Sequence, residues 1–202
     1  FELLFVADVS GDKTIELIQK YQRQHREIKL IVNPQREQKG GSVKIGMLHA
    51  EYDVLLFYDV DLSTPLDEIT RALNYLKEYD VVIGSRALPE SRVQKDFLKT
   101  VLSTGFSVLK WLVLGLPYKD TQCGFKMFRS STRIIFEKQR LKSSAFDVEL
   151  LFIAHHLGFR VKEMPVTWVD SEGSNFNIVH VVFSFFRELA KIRINGLKGY
   201  YD

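Results

Sequence analysis

The stretch Val54-Leu55-Leu56-Phe57-Tyr58-Asp59-Val60-Asp61-Leu62-Ser63-Thr64-Pro65 decides the fold. An apolar run of strand length ends in two carboxylates one residue apart. Ser63 can then cap a helix whose first turn holds Pro65, Asp67 and Glu68. The carboxyl end of a strand in an α/β sheet is where ligands bind. The stretch therefore predicts a buried strand, a ligand site and a helix start in that order.

Asp59 and Asp61 are the candidate metal ligands. At a spacing of i, i+2 their side chains point the same way on an extended chain. They offer hard oxygen ligands to a divalent ion, which usually keeps waters and bridges to substrate phosphates. A short Asp-x-Asp motif also occurs as two solvated turn aspartates. The apolar strand before it and the helix start after it favour the metal site.

Composition sets the class of protein. The 202 residues are 46% hydrophobic and 26% charged, which is ordinary for a globular protein with one sizeable core. No linker or low-complexity run divides residues 1–202, so we read a single domain. The net charge of +3 does not indicate a nucleic-acid partner. The single cysteine, Cys123, excludes an internal disulfide and suits a reducing compartment.

Two features concern the ends of the chain and its relation to a membrane. No run reaches about 18 consecutive apolar residues, so the sequence predicts neither a transmembrane helix nor a signal peptide. The chain starts at Phe1, without Met, inside an apolar strand-like run. We therefore expect an N-terminally truncated sequence.

Strand-like and helical runs alternate over the first 84 residues. Predicted strands at 1–6, 29–32, 54–58 and 80–84 are separated by predicted helices at 14–26 and 66–79 and by a helix that residues 38–42 lead into and that runs through residue 50. This order predicts an α/β fold with an open, mostly parallel sheet flanked by helices and joined by right-handed crossovers. Beyond residue 84 we predict helices at 97–116, 144–157 and 177–198 and strands at 123–128 and 160–166.

Three further segments carry polar groups suited to chemistry. Gly40 could let the backbone approach a ligand and Lys39 could meet a phosphate or carboxylate, although the segment also suits a flexible helix entry. Arg86 ends a predicted strand and could hold phosphate oxygens or form a surface salt bridge. Asp120 could act as a base, orient a hydroxyl or belong to a plain turn. Candidates for closing over an anionic substrate follow in a polar loop: Arg92 and Lys95.

The predicted helix at 177–198 is amphipathic. One stripe is mostly aromatic and aliphatic: Phe183, Phe186, Ala190, Ile194 and Leu197. Another face is basic: Arg187, Lys191 and Lys198. This pattern suits a helix lying in a membrane interface. It equally suits a helix that packs its apolar stripe on the core and leaves its basic face in solvent.

Taken together, these motifs resemble the family 2 glycosyltransferases of the GT-A fold, specifically the dolichyl- or polyprenyl-phosphate sugar transferases. The matching motifs occur in the family's order and cover nearly the whole chain: 39–43, 59–65, 84–86, 120–126, 146–150 and 163–168. The pair formed by 59–65 and 120–126 is specific to this branch.

The resemblance implies an inverting transfer of a sugar from a nucleotide sugar to an isoprenoid phosphate. Glucose is the favoured sugar, and UDP-glucose is therefore the favoured donor. Mg²⁺ or Mn²⁺ is the implied cofactor, and the cytoplasmic face of a membrane is the implied location, with peripheral attachment or anchors outside this chain. The roles implied for individual residues are a metal site at Asp59 and Asp61, an active-site acid proposed as base at Asp120, donor or phosphate contacts at Lys39, Gly40 and Arg86, and a nucleotide-binding turn at Asp8.

Two departures from the family pattern bear on activity. The family turn Val-Asp-Asp-Gly-Ser is here Val6-Ala7-Asp8-Val9-Ser10, and a preceding strand with its nucleotide-holding turn has no match. The expected fold therefore lacks its first strand. These departures favour one alternative, a non-catalytic remnant that binds a membrane or a partner. A second alternative is a nucleotidyltransferase of related fold, which also uses carboxylates and a metal on such a sheet. A lipid phosphate is already ionised at neutral pH, so Asp120 is expected to position groups more than to remove a proton.

Overall fold

The computed structural model describes residues 1–93, 97–169 and 178–202. Its first half alternates strands and helices as predicted. In chain order these elements are β1 (Leu3–Asp8), α1 (Thr14–Gln22), β2 (Ile28–Asn33), α2 (Gln38–His49), β3 (Val54–Tyr58), α3 (Glu68–Tyr75) and β4 (Val81–Ser85).

The second half has longer helices and shorter strands. In chain order these elements are β5 (Arg92–Val93), α4 (Phe97–Leu114), β6 (Phe125–Arg129), α5 (Ile134–Lys138), α6 (Phe146–His156), β7 (Val161–Pro165), β8 (Thr167–Trp168) and α7 (Ile178–Leu197). The first residue predicted for the last helix, Asn177, and the loop lysine Lys95 lie outside the described residues.

The central sheet has the strand order β3-β6-β4-β7. β6 runs antiparallel to both of its neighbours, whereas β4 and β7 are parallel. The sequence predicted parallel neighbours for the early strands, and the insertion of β6 between β3 and β4 was not predicted. Two further parallel pairs, β1 with β2 and β5 with β8, make the described strand pairings mostly parallel.

β1 pairs with β2 on one side and with no described strand on the other. Helix α2 packs on both β1 and β3, and the carboxylate of Glu2 accepts a hydrogen bond from the Glu51 backbone N–H at 2.7 Å. The apolar residues of β1 are only half-buried, whereas every residue of β4 is buried. The side of β1 away from β2 is therefore an unpaired strand edge within the described residues.

Helices cover both faces of the central sheet. One face packs against α6 and α7 through residues such as Phe57, Ile83 and Phe128. The other face packs against α3 through Val82, Phe125, Met127 and Met164. Because side chains alternate across a strand, these two layers leave the strand ends free to carry polar groups.

Candidate functional site

Three of the predicted site residues, Asp59, Arg86 and Asp120, lie at one edge of the central sheet. Asp59 follows β3 and Arg86 follows β4, while the segment 120–124 precedes β6. Because β6 is antiparallel, its first residue, Phe125, pairs with Tyr58 at the last position of β3. The structure therefore brings the 59–65 and 120–126 motifs side by side.

Asp59 and Lys39 form an ion pair at this edge. The Lys39 Nζ lies 2.8 Å from Oδ1 and 3.0 Å from Oδ2 of Asp59, and 5.4 Å from the centre of the Phe57 ring. The Asp59 carboxylate rests on Gly124, where a Cβ would come 1.9 Å from Oδ2. Only glycine at position 124 leaves room for this carboxylate.

Asp61 lies in the turn after β3, which ends one residue before Asp59. Its Oδ1 accepts a hydrogen bond from the Ser63 backbone N–H at 3.0 Å, and Leu62 between them has a φ of 53°. The prediction that Ser63 caps the next helix is wrong, because α3 starts at Glu68 after Asp67. The carboxylate of Asp61 organises the turn in its place.

Both aspartates line one small polar cavity, whose wall consists of Tyr58, Asp59, Asp61, Ser63, Thr64, Gly124 and Trp168. The Tyr58 and Ser63 hydroxyl oxygens are buried and find no hydrogen-bond partner in the described part of the chain. Within the described ranges, no group of three or more His, Cys, Asp or Glu side chains forms a complete metal site. Two carboxylates fit a hard divalent cation that takes its other ligands from waters and a diphosphate.

Arg86 and Asp120 form a second ion pair beside this cavity. Arg86 donates from Nε to Oδ2 at 2.7 Å and from Nη2 to Oδ1 at 3.1 Å, and its backbone N–H donates to Oδ2 at 3.0 Å. Burial acts to raise the pKa of Asp120, but the hydrogen bonds and charge of Arg86 outweigh it and hold that pKa below its usual value. The guanidinium also lies 5.4 Å from the Trp168 ring. Asp120 is therefore a weak base that orients Arg86.

Two charged residues near Asp120 were not assigned a role in the site from the sequence. Glu163 accepts the backbone N–H groups of Lys119 and Asp120 at 3.0 Å and so shapes their loop. Lys110 is buried and donates to Thr121 Oγ1 at 2.8 Å, and burial lowers its pKa to about 8. The signal for Lys110 was present, because it is the only charge in the apolar run 101–116.

Asp8 and Gly40 serve the start of α2. The Asp8 carboxylate accepts hydrogen bonds from Asn33 Nδ2 at 2.9 Å and from the backbone N–H groups of Glu37 and Gln38 at 3.2 Å. The hydrogen bond from Asn33 is the largest cause that lowers the pKa of Asp8. A Cβ on Gly40 would come 2.7 Å from the Phe146 Cβ, so close packing against protein accounts for this glycine.

The charges at the start of α6 do more than complement a helix terminus. Asp147 forms a fully buried ion pair with Lys126, whose Nζ also donates to the Cys123 carbonyl at 2.6 Å. Glu149 accepts a hydrogen bond from the Tyr201 hydroxyl at 2.6 Å. These contacts hold β6 and the C-terminal Tyr201 against the first turn of α6.

The large side chains of the apolar stripe predicted on the last helix do not pack on the core where they are described; Ala190 is half-buried, and the side chain of Phe183 lies outside the described part of the structure. Phe186, Ile194 and Leu197 are exposed, as are the basic residues Arg187, Lys191 and Lys198. The helix contacts the core through Phe185, Leu189 and Ile192 instead. Among the described helices, none combines the length and the apolar character needed to cross a bilayer.

Known structures share this fold. Glucosyl-3-phosphoglycerate synthase from Mycobacterium tuberculosis, in complex with UDP, is 12% identical, with a TM-score of 0.66 over 96% of this chain and 68% of that one. A mannosyltransferase from Pyrobaculum calidifontis, in complex with GDP-Man and Mn²⁺, is 14% identical, with a TM-score of 0.54 over 98% and 65%. These likenesses confirm the expected GT-A fold.

The sequence comparisons identify the family. A dolichyl-phosphate beta-glucosyltransferase of Drosophila melanogaster is 33% identical over 211 residues, which cover 98% of this chain and 65% of the relative. The chain thus spans just under two thirds of that relative's length. The family model for glycosyl transferase family 2 matches residues 1–133. The chain belongs to glycosyl transferase family 2.

Proposed function

We propose that this chain transfers a sugar, with glucose favoured, from a nucleotide sugar to dolichyl or polyprenyl phosphate, with inversion at the anomeric carbon. The observation that carries the proposal is the convergence of Asp59 and Asp61 on one polar cavity, with Lys39 in contact with Asp59 and Arg86 in contact with Trp168 of the cavity wall. The names of the similar glucosyltransferases supply the reaction. The family match favours this reaction over a nucleotidyl transfer.

Asp59 and Asp61 would hold Mg²⁺ or Mn²⁺. When bound, such an ion neutralises charge on the diphosphate that leaves. The Mn²⁺ in the mannosyltransferase of the same fold supports a divalent ion. The UDP in the synthase complex and the glucosyltransferase names support UDP-glucose as the donor.

Arg86 would receive the acceptor phosphate. Asp120 and Trp168 hold its guanidinium in one orientation, and its Nη1 makes no contact with Asp120. The phosphate oxygen is the nucleophile and is already ionised at neutral pH. A new bond from this oxygen to the anomeric carbon forms while the bond to the leaving diphosphate breaks on the opposite face, which inverts the carbon. Asp120 takes no proton in this step and positions Arg86.

We further propose that the enzyme works at the cytoplasmic face of a membrane. The described part of α7 exposes Phe186, Ile194 and Leu197 beside basic side chains, which is the composition of an interfacial helix. Helix α4, which packs on α7, exposes Val108, Trp111 and Leu112. The buried, free thiol of Cys123 fits a reducing compartment.

The test is sugar transfer to a polyprenyl phosphate from UDP- and GDP-sugars, with and without Mg²⁺ or Mn²⁺. We expect metal-dependent glycolipid from one donor, and a loss of at least about 100-fold in kcat for Asp59→Asn and Asp61→Asn, since such charge stabilisation is worth several kcal/mol. The exposed Asp67, without a side-chain cap contact, provides the matched control Asp67→Asn. Full turnover in both site variants would exclude the metal role.

The non-catalytic remnant is the second candidate. It is favoured by the segment Val6–Ser10 at the end of β1, where Asp8 is committed to the start of α2 and Ala7 carries no polar group. Flotation with liposomes in the absence of any metal-dependent donor binding by calorimetry would support this remnant. Release of pyrophosphate from a nucleoside triphosphate would instead identify a nucleotidyltransferase.

A further inference from the structure

The contact between Lys39 and Asp59 places a cation on a carboxylate that the proposed function assigns to a metal. The ammonium is within 3.0 Å of both carboxylate oxygens. A divalent ion that binds the same oxygens would lie a few ångströms from this ammonium, and like charges at such distances repel strongly. The ammonium and the ion therefore compete for Asp59.

The two partners differ in how firmly they are held. Asp59 is fixed by the hydrogen bond from its backbone N–H to the Gly124 carbonyl at 2.9 Å and by the packing of its carboxylate on Gly124. The backbone at Lys39 is also fixed, because the next residue, Gly40, bonds to Lys142 and Gln139. The Lys39 side chain itself is 46% exposed. Its flexible stem can swing while both backbones stay in place.

We propose that Lys39 is an exchangeable counter-ion: it neutralises Asp59 before the metal binds and then moves onto the diphosphate of the donor. This inference rests on the proposed metal role of Asp59. After the exchange, the ammonium stays beside the same cavity, where the leaving diphosphate gains negative charge. One lysine thus neutralises Asp59 before the metal binds and adds a cation to the loaded site.

The exchange predicts opposite effects on two ligands. Without the ammonium, Mn²⁺ alone should bind about two- to fivefold more tightly, which is the range for loss of an exposed ion pair. A nucleoside diphosphate in the presence of Mn²⁺ should bind at least about tenfold more weakly, because a hydrogen bond to a charged group is lost. A residue that only stabilised the fold would weaken both ligands.

The experiment compares Lys39→Gln with the wild type by Mn²⁺ electron paramagnetic resonance, and then by calorimetry with UDP and with GDP at saturating Mn²⁺. Lys142→Gln is the matched control, since it removes one positive charge near α2 from a lysine that pairs with Glu37. We expect tighter Mn²⁺ and weaker nucleotide for Lys39→Gln and neither change for Lys142→Gln.

Two results would overturn the exchange while the metal role stands, provided that the wild type binds Mn²⁺. In the first, Lys39→Gln binds Mn²⁺ as tightly as the wild type or more weakly. In the second, Lys39→Gln binds the nucleotide in the presence of Mn²⁺ as tightly as the wild type does. Equal tightening of Mn²⁺ in Lys142→Gln would also overturn it, because general charge would then explain the gain. If the wild type binds no Mn²⁺, with or without nucleotide, the proposed metal role itself fails.

Discussion

Arg86 and Asp120 lie 34 residues apart in the chain and contact each other through both side-chain oxygens of the acid. The pair joins the end of β4 to the loop before β6, across the edge where the site lies. Since the guanidinium and the backbone N–H groups of Arg86 and Gln122 occupy the carboxylate, it has little capacity left for proton transfer. The acid at position 120 acts through the arginine.

This relationship predicts that replacing either residue has nearly the same effect on catalysis as replacing both. Asp120→Asn and Arg86→Gln should each raise the KM for the acceptor phosphate, and the double variant should be little worse than either single one, with a coupling of about 1–3 kcal/mol. Transfer kinetics of all four proteins, with urea unfolding alongside, measure this. If the effects of the two single substitutions on kcat were additive in the double variant, Asp120 would have a chemical role independent of Arg86.

Lys110 predicts an unusual dependence of stability on pH. Burial lowers its folded pKa to about 8, so the folded state resists the charged form that the unfolded chain carries up to about pH 10. Its destabilising effect is thus complete below pH 8 and is relieved as the pH rises from 8 towards 10.5.

Lys110→Met should therefore be more stable than the wild type at pH 7 by about 1–3 kcal/mol, after allowance for the lost hydrogen bond to Thr121. The advantage should shrink between pH 8 and 10. Urea unfolding of both proteins across this pH range provides the measurement. If Lys110→Met were less stable than the wild type at pH 7, the Lys110 ammonium would not be destabilised by burial.

Gly124→Ala should disable the site with little effect on the rest of the fold. The new methyl group would overlap the Asp59 carboxylate, which would have to rotate away from the cavity. We expect Mn²⁺ binding and transfer to fall by at least about tenfold, as a misplaced ligand costs more than 1.4 kcal/mol. Gly11→Ala is the control, because a Cβ there meets nothing within 4 Å. Normal Mn²⁺ affinity in Gly124→Ala would show that Asp59 is not a ligand.

The exposed stripe on α7 predicts binding to lipid. Ile194→Glu with Leu197→Glu should reduce flotation with anionic vesicles at least about tenfold, since each buried apolar side chain contributes about 1.5–3 kcal/mol. Stability should change little because both side chains are exposed. Leu17→Glu, on the exposed side of α1, is the control. Equal flotation of the double variant and the control would exclude this stripe as the lipid contact.

Much of the fold and of the site could be predicted from short-range pattern. The alternation of strands and helices to Ser85 follows from local periodicity, whereas only the family resemblance assigned Asp59 and Asp120 to one active site. The position of β6 could not be predicted, because strand order depends on contacts distant in sequence. The ion-pair partners of Lys39 and Asp120 could not be predicted for the same reason, because each partner lies at least 20 residues away in the sequence.

The sequence also left undecided which stripe of the last helix meets the core. Periodicity identifies apolar positions but not the neighbour that covers them. Phe185, Leu189 and Ile192 are buried, while the predicted stripe is exposed at Phe186, Ile194 and Leu197. Two apolar stripes on one helix indicate two different environments, and only the packing shows which is which.

The unpaired side of β1 has a consequence for handling the protein. Leu3 to Asp8 present a short apolar strand whose backbone N–H and C=O groups on that side have no strand partner among the described residues. Such an edge is a template for another extended chain. Concentrated solutions of residues 1–202 should therefore self-associate through this edge, and a lysine placed at Leu4 or Val6 should keep the molecules apart.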